Sequence, residues 1–242
     1  MKSIQLPLLF SIIVTLGMNA FDMFFHYGTD TAVHLNYVLV KLTIIFLTTY
    51  LISQFIGIST REGIVISFVG PFFFWLYYVS AYPTLDRNVF RIDDQFYFYF
   101  AHVPMMAVGY FSNYWYLTTK NPHLKKLCLA ISTTFAVLAL EILYFMVSLK
   151  GAGIPEDVEV TMIDFPNAYT MLGIIAVPVF VVSWMKQKLP KKGLIAGALS
   201  GIGSYFLLNE PLLNTGLIQA IYVFIIVNLV FAFIKNYEKP IA

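Results

Sequence analysis

Eight long apolar stretches dominate the chain: roughly 5–27, 31–57, 63–82, 96–117, 127–149, 166–185, 193–209 and 216–234. Crossing the hydrocarbon core of a bilayer takes about 20 helical residues. Inside that core the backbone must satisfy its own hydrogen bonds, which leaves only helices and closed barrels. These are unbroken apolar runs and not alternating short segments, so they read as helices. Eight spans at about 20 residues each consume about 160 residues. The remainder suffices for joints alone, so residues 1–242 read as a single transmembrane domain, an all-α polytopic bundle. The seventh span is the shortest. Composition excludes the soluble alternative: 59% of the 242 residues are hydrophobic and 12% are charged, against about 25% charged in soluble domains. Such a chain has too little polar surface to cover a soluble fold, and too much apolar surface to stay disordered. A net charge of +2, with its lysines in short separate groups, excludes a nucleic-acid partner. The partner expected is the lipid bilayer. The single Cys128 allows neither an internal disulfide nor a Cys-rich metal site.

The joints carry turn and charge signals. Thr29 or Asp30 can cap the second helix, Ser59 and Thr60 precede the third, Pro83 follows it, and Pro166 suits a first turn. Pro71, Pro104 and Pro178 fall inside spans, where kinks are expected. With Lys2 inside, the inner joints hold Arg61, then Lys120, Lys125 and Lys126, then Lys186, Lys188, Lys191 and Lys192, with Lys235 and Lys239 in the tail. The outer joints hold Asp30, a mixed set from Asp86 to Asp94, then Glu156, Asp157, Glu159 and Asp164, and last Glu210. The positive-inside rule then places both termini in the cytoplasm of a multi-pass cell-membrane protein. A cleaved signal peptide ending at Ala20 is the alternative for the first span, and Met18 is large for such a cleavage site.

Ionisable groups within spans each cost about 2.5–3.5 kcal/mol on insertion scales and so demand a reason. They are Asp22, His26, His34, Lys41, His102 and Glu141. This topology places all six in the outer half of the membrane. At 1.5 Å per helical residue, His102 lies about 9 Å below the outer end of its span and Lys41 about 16 Å. Asp22 and His26 are four apart and share a helix face, and His34 follows just across a short joint. Asp22, His26, His34 and His102 therefore form a candidate metal site, and imidazoles with one carboxylate suit a transition metal: Zn, Cu or Fe. Two other readings stay open, residence among lipid headgroups and a proton or substrate relay. Lys41 and Glu141 are expected to form an intramembrane ion pair joining the second and fifth spans.

The remaining polar residues receive plainer readings. Gln219, Asn228, Thr133 and Thr134 read as interhelix hydrogen bonding. The aromatic run from Phe72 to Tyr78 reads chiefly as lipid-facing surface. Gly193, Gly197 and Gly201 repeat at four-residue spacing and allow close helix packing, within the chain or against a partner helix. Phosphate-binding loops, zinc-protease motifs and a nucleophile elbow are absent from the sequence.

The segment Asp22-x-x-x-His26, Thr29-Asp30, His34 resembles the metal-binding hairpin in the C subunit of copper membrane monooxygenases. The likeness covers residues 22–34, with a shorter loop and without the rest of that family's pattern. Seven-helix zinc hydrolases related to alkaline ceramidases also hold a metal by three histidines. Their last helix supplies two of them, and the last span here has none. The function expected is an outward-facing metal site, acting on an apolar or lipid-like substrate if it is enzymatic. The alternatives are a transporter or proton-coupled permease using the same ionisable residues, and a non-catalytic subunit of a larger membrane complex.

Overall fold

The computed structural model describes the backbone of residues 5–27, 35–81, 92–151, 168–208 and 215–238, and side chains over 5–22, 38–80, 99–144, 173–206 and 216–236. The described residues form eight helices: α1 Gln5–Tyr27, α2 Leu35–Phe55, α3 Thr60–Ala81, α4 Ile92–Thr118, α5 Pro122–Gly151, α6 Ala168–Trp184, α7 Leu189–Leu208 and α8 Thr215–Glu238. Each falls on one of the expected spans. The readings placed on Thr29, Asp30, His34, Pro83, Pro166 and the charged joints at 82–91 and 152–167 lie outside the described residues, as does the side chain of His26.

Five helices contain segments long and apolar enough to cross a membrane, within α1, α2, α3, α5 and α8, as in a multi-pass membrane protein. Of the other three, α6 is apolar but shorter over Gly173–Trp184, and α4 and α7 carry polar residues. Helix α4 carries His102, Ser112 and Asn113, all buried in the bundle. Helix α7 opens on Lys191 and Lys192 and is rich in Gly and Ser.

Local chemistry sets the ends. Ser59 caps α3: its Oγ accepts from the Arg61 N–H at 3.2 Å and donates to the Glu62 carboxylate in the first turn. Asn121 Oδ1 caps α5 by accepting from the His123 and Leu124 N–H groups at 2.9 and 3.3 Å. Helix α2 ends at Gly57, whose φ of 135° lies where a side chain is strained; its N–H reaches back to the Ile52 carbonyl at 3.2 Å.

Helices α1 and α5 occupy the interior. Their apolar windows are 61% and 67% buried, against 33% for α2, 33% for α3 and 39% for α8. Helix α1 packs on α2, α4 and α5, and α5 packs on α1, α4, α6 and α8. The outer faces of α2, α3, α7 and α8 expose large apolar side chains such as Leu47, Phe73, Ile202 and Leu229, as lipid contact requires.

Small residues decide the closest crossings. A Cβ on Gly17 would meet the Gly109 Cα at 3.6 Å, and one on Gly109 would meet Met18 N and Val14 O at 3.0 Å. Helices α1 and α4 therefore touch backbone to backbone. The stripe Gly193, Gly197, Gly201 is taken up within the chain by α8: added Cβ atoms there would meet Asn228 at 3.1 Å, Asn228 at 2.8 Å and the Ala220 carbonyl at 2.9 Å. Across that seam Asn228 donates to the Phe224 carbonyl of its own helix at 2.8 Å, not across helices as its residue type led us to expect.

Candidate functional site

The Gly17–Gly109 contact sets up the site. Asp22 lies five residues beyond Gly17 on α1, and His102 seven residues before Gly109 on α4. Moving up α1 matches moving back along α4, so the two helices run antiparallel and bring these side chains to the same level. His102 Nε2 lies 3.0 Å from Asp22 Oδ1. From the third side α2 supplies Lys41, whose ammonium forms an ion pair with Asp22 Oδ2. The exposures of Asp22, Lys41 and His102 are 0%, 0% and 2%. One carboxylate thus stands between a cation and an imidazole, each facing a different oxygen, deep in an apolar bundle.

An aromatic ring covers the imidazole. Phe74 of α3 is fully buried, and its ring centroid lies 5.5 Å from that of His102. The neighbouring Phe72 and Phe73 face outward as the sequence implied. Helical periodicity turns Phe74 inward, and an aromatic run carries no sign of which member that will be.

The structure gives Lys41 and Glu141 different partners from the ones expected. Lys41 pairs with Asp22, and Glu141 of α5 accepts a hydrogen bond from Gln219 Nε2 of α8. The cause is packing order: α2 lies along α1, whereas Glu141 sits on the face of α5 turned to α8. The second cluster continues in Tyr222, whose ring stacks on Tyr144 at 3.7 Å and whose hydroxyl donates to the Leu140 carbonyl at 3.3 Å.

Of three other polar residues, Thr133 makes the interhelix bond expected of it, while Thr134 and Lys192 depart from expectation. Thr133 Oγ1 and Ser183 Oγ lie 2.9 Å apart, linking α5 to α6. Thr134 Oγ1 has no hydrogen-bond partner among the described residues. Lys192, expected in a solvated inner joint, is buried and donates from Nζ to the Ser183 carbonyl at 2.6 Å. That places a cation on the last turn of α6, the favourable end of its dipole.

Of the four proposed metal ligands, the structure brings Asp22 and His102 together. Among the described residues no three of His, Cys, Asp and Glu converge on a common point. The His26 side chain and His34 lie outside the described residues. The Lys41 ammonium already neutralises one oxygen of Asp22, so a metal cation at that carboxylate would meet a like charge within a few ångströms, unfavourable in a medium of low dielectric.

Sequence reasoning passed over Asn19 and Thr15 because neither is charged. Both are buried on α1, and neither the Thr15 hydroxyl nor either amide atom of Asn19 has a partner among the described residues. Their spacing from Asp22, seven and three residues, was the available signal. No protein-family model, curated protein or solved structure matches the chain.

Proposed function

We propose that the chain is a proton-translocating protein of the permease class, with eight spans, both termini cytoplasmic, and Asp22, Lys41 and His102 as its proton-exchanging centre. The observation that carries this reading is the Asp22 carboxylate held between Lys41 and His102 with all three side chains buried. Ionisable groups at membrane depth serve ion pathways and proton relays by default. A separation of 3.0 Å between His102 Nε2 and Asp22 Oδ1 is within reach for direct proton transfer. The Lys41 ammonium balances the carboxylate, so a proton gained on His102 gives the centre one net positive charge, held against the same carboxylate.

Purified protein in liposomes loaded with a pH-sensitive dye, driven by a potassium diffusion potential, tests this. The expected outcome is proton flux above that of empty liposomes, with a loss of at least about tenfold in Asp22→Asn, the cost of removing one essential relay group. Flux no faster than through empty liposomes refutes the reading. Cysteine labelling at Glu156 and Lys191 tests the topology, and reaction of both from one side overturns it.

A transition metal held by Asp22, His26, His34 and His102 is a separate proposal, favoured by the approach of Asp22 to His102 from different helices. Elemental analysis of wild type beside His26→Ala and His34→Ala decides it: metal in wild type that is lost in both variants supports it, and an empty wild type after metal-replete purification removes it.

A further inference from the structure

Helix α1 carries a continuous polar line through an otherwise apolar sequence. Ser11, Thr15, Asn19 and Asp22 lie at spacings of four, four and three residues, which keeps them on one face. All four are buried. Ser11 is satisfied by donating to the Pro7 carbonyl at 2.7 Å, and Asp22 by the ion pair. The middle of the line is not satisfied. The Thr15 hydroxyl and both amide atoms of Asn19 have no hydrogen-bond partner among the described residues.

Several hydroxyls of the same molecule are satisfied within their own helix. Thr49, Ser67, Thr133, Ser183 and Ser204 each donate to the carbonyl four residues back in their own helix. Thr15 has that option and, like Ser53 and Thr134, does not use it. Asn19 offers two donors and two acceptor lone pairs. Leaving such groups empty in an apolar interior costs about 1–3 kcal/mol for each group. Buried water is the usual remedy, since it bonds two to four otherwise unsatisfied groups.

The spacing fits water. Along the helix axis Thr15 lies about 6 Å from Asn19, and Asn19 about 4.5 Å from Asp22. One water with a hydrogen bond on each side spans about 5.5 Å. We infer that Thr15 and Asn19 hold a short file of internal water molecules, which connects the Asp22 centre to the N-terminal half of α1. The file stands on these unsatisfied groups and their spacing. Its use as the proton entry route rests on the proton-translocation reading above.

Thiol reactivity in the full chain tests the file, with Cys128→Ser as background. A buried thiol reacts with a small methanethiosulfonate only as thiolate, which requires water beside it. Thr15→Cys and Asn19→Cys are expected to react at least about tenfold faster than Val14→Cys, a control on the fully buried adjacent position. Equal rates at 14, 15 and 19 overturn the inference. Should a cysteine variant fail to fold, flux decides: Asn19→Leu loses at least about tenfold while Asn19→Ser, which leaves room for water and keeps a hydrogen-bonding group, retains more. Equal flux in Asn19→Leu and wild type also overturns it. Reactive thiols at 15 and 19 without wild-type flux uphold the water and refute the relay, and flux with unreactive thiols refutes the water alone.

Discussion

Removing either member of the Asp22–Lys41 pair leaves the other as a charge with no solvent to receive it, because both side chains are 0% exposed. Breaking a buried pair from one side costs about 3–5 kcal/mol. The two single losses are unequal here. In Lys41→Met the Asp22 carboxylate still has His102 at 3.0 Å, which can balance it by holding a proton. In Asp22→Asn the Lys41 ammonium loses its carboxylate, so Asp22→Asn is the costlier change and falls at the upper end of that range. The double variant Asp22→Asn, Lys41→Met retains no buried charge, and its residual cost is that of a near-isosteric repacking, below about 1.5 kcal/mol. With single losses of about 3 and 5 kcal/mol against about 1.5 for the double variant, the losses fall short of additive by about 6 kcal/mol, above the usual range of about 0.5–3 for residues in contact. Reversible unfolding of detergent-solubilised protein, followed by intrinsic fluorescence, gives the four free energies. The parallel cycle with Lys41→Met and Glu141→Gln is the control. Since Glu141 is hydrogen-bonded to Gln219, its losses should add within about 0.5 kcal/mol. Additive losses for Asp22 and Lys41, or strong coupling between Lys41 and Glu141, would refute the assignment of partners.

The crossing of α1 and α4 makes Gly109→Val a second probe. Its Cβ would sit 3.0 Å from backbone atoms of Val14 and Met18, so the helices must part, at about 1–3 kcal/mol, and proton flux should fall as His102 leaves Asp22; an undiminished flux would show that this contact does not set the centre. On α7, Lys192→Met removes a charged donor from the Ser183 carbonyl and should cost about 1.5–3 kcal/mol in the same unfolding assay. A stability equal to wild type would mean the buried ammonium contributes nothing.

Helix positions were readable in the sequence because a bilayer imposes a length on every apolar run, and all eight described helices fall on such runs. Pairing was less readable. Lys41 has two carboxylates available at comparable depth, Asp22 and Glu141, and only the packing of α2 along α1 selects the first. His102 could be assigned to the level of Asp22 by counting residues, but its approach to 3.0 Å depends on two glycines, Gly17 and Gly109, that belong to no spaced stripe. Phe74 was hidden inside an aromatic run whose neighbouring members Phe72 and Phe73 face outward. Asn19 was hidden by its neutrality: a search for charges does not register an amide, although an unpartnered amide in an apolar interior is nearly as demanding.

The central position of α1 also bears on how the protein is made. Helices leave the ribosome in chain order, so α1 is made before its partners α4 and α5, which begin at residues 92 and 122. Until they arrive, a lone α1 would carry Asp22 into lipid unaccompanied, at about 2.5–3.5 kcal/mol. Lys41 follows only 19 residues later, near enough for α1 and α2 to enter as one hairpin with the carboxylate already neutralised. In a translation-coupled insertion assay, a nascent chain released after α1 should partition poorly into the membrane and one released after α2 should partition well, and Lys41→Glu should abolish the difference. On that outcome the ion pair would act as a biogenesis clasp before the rest of the bundle exists.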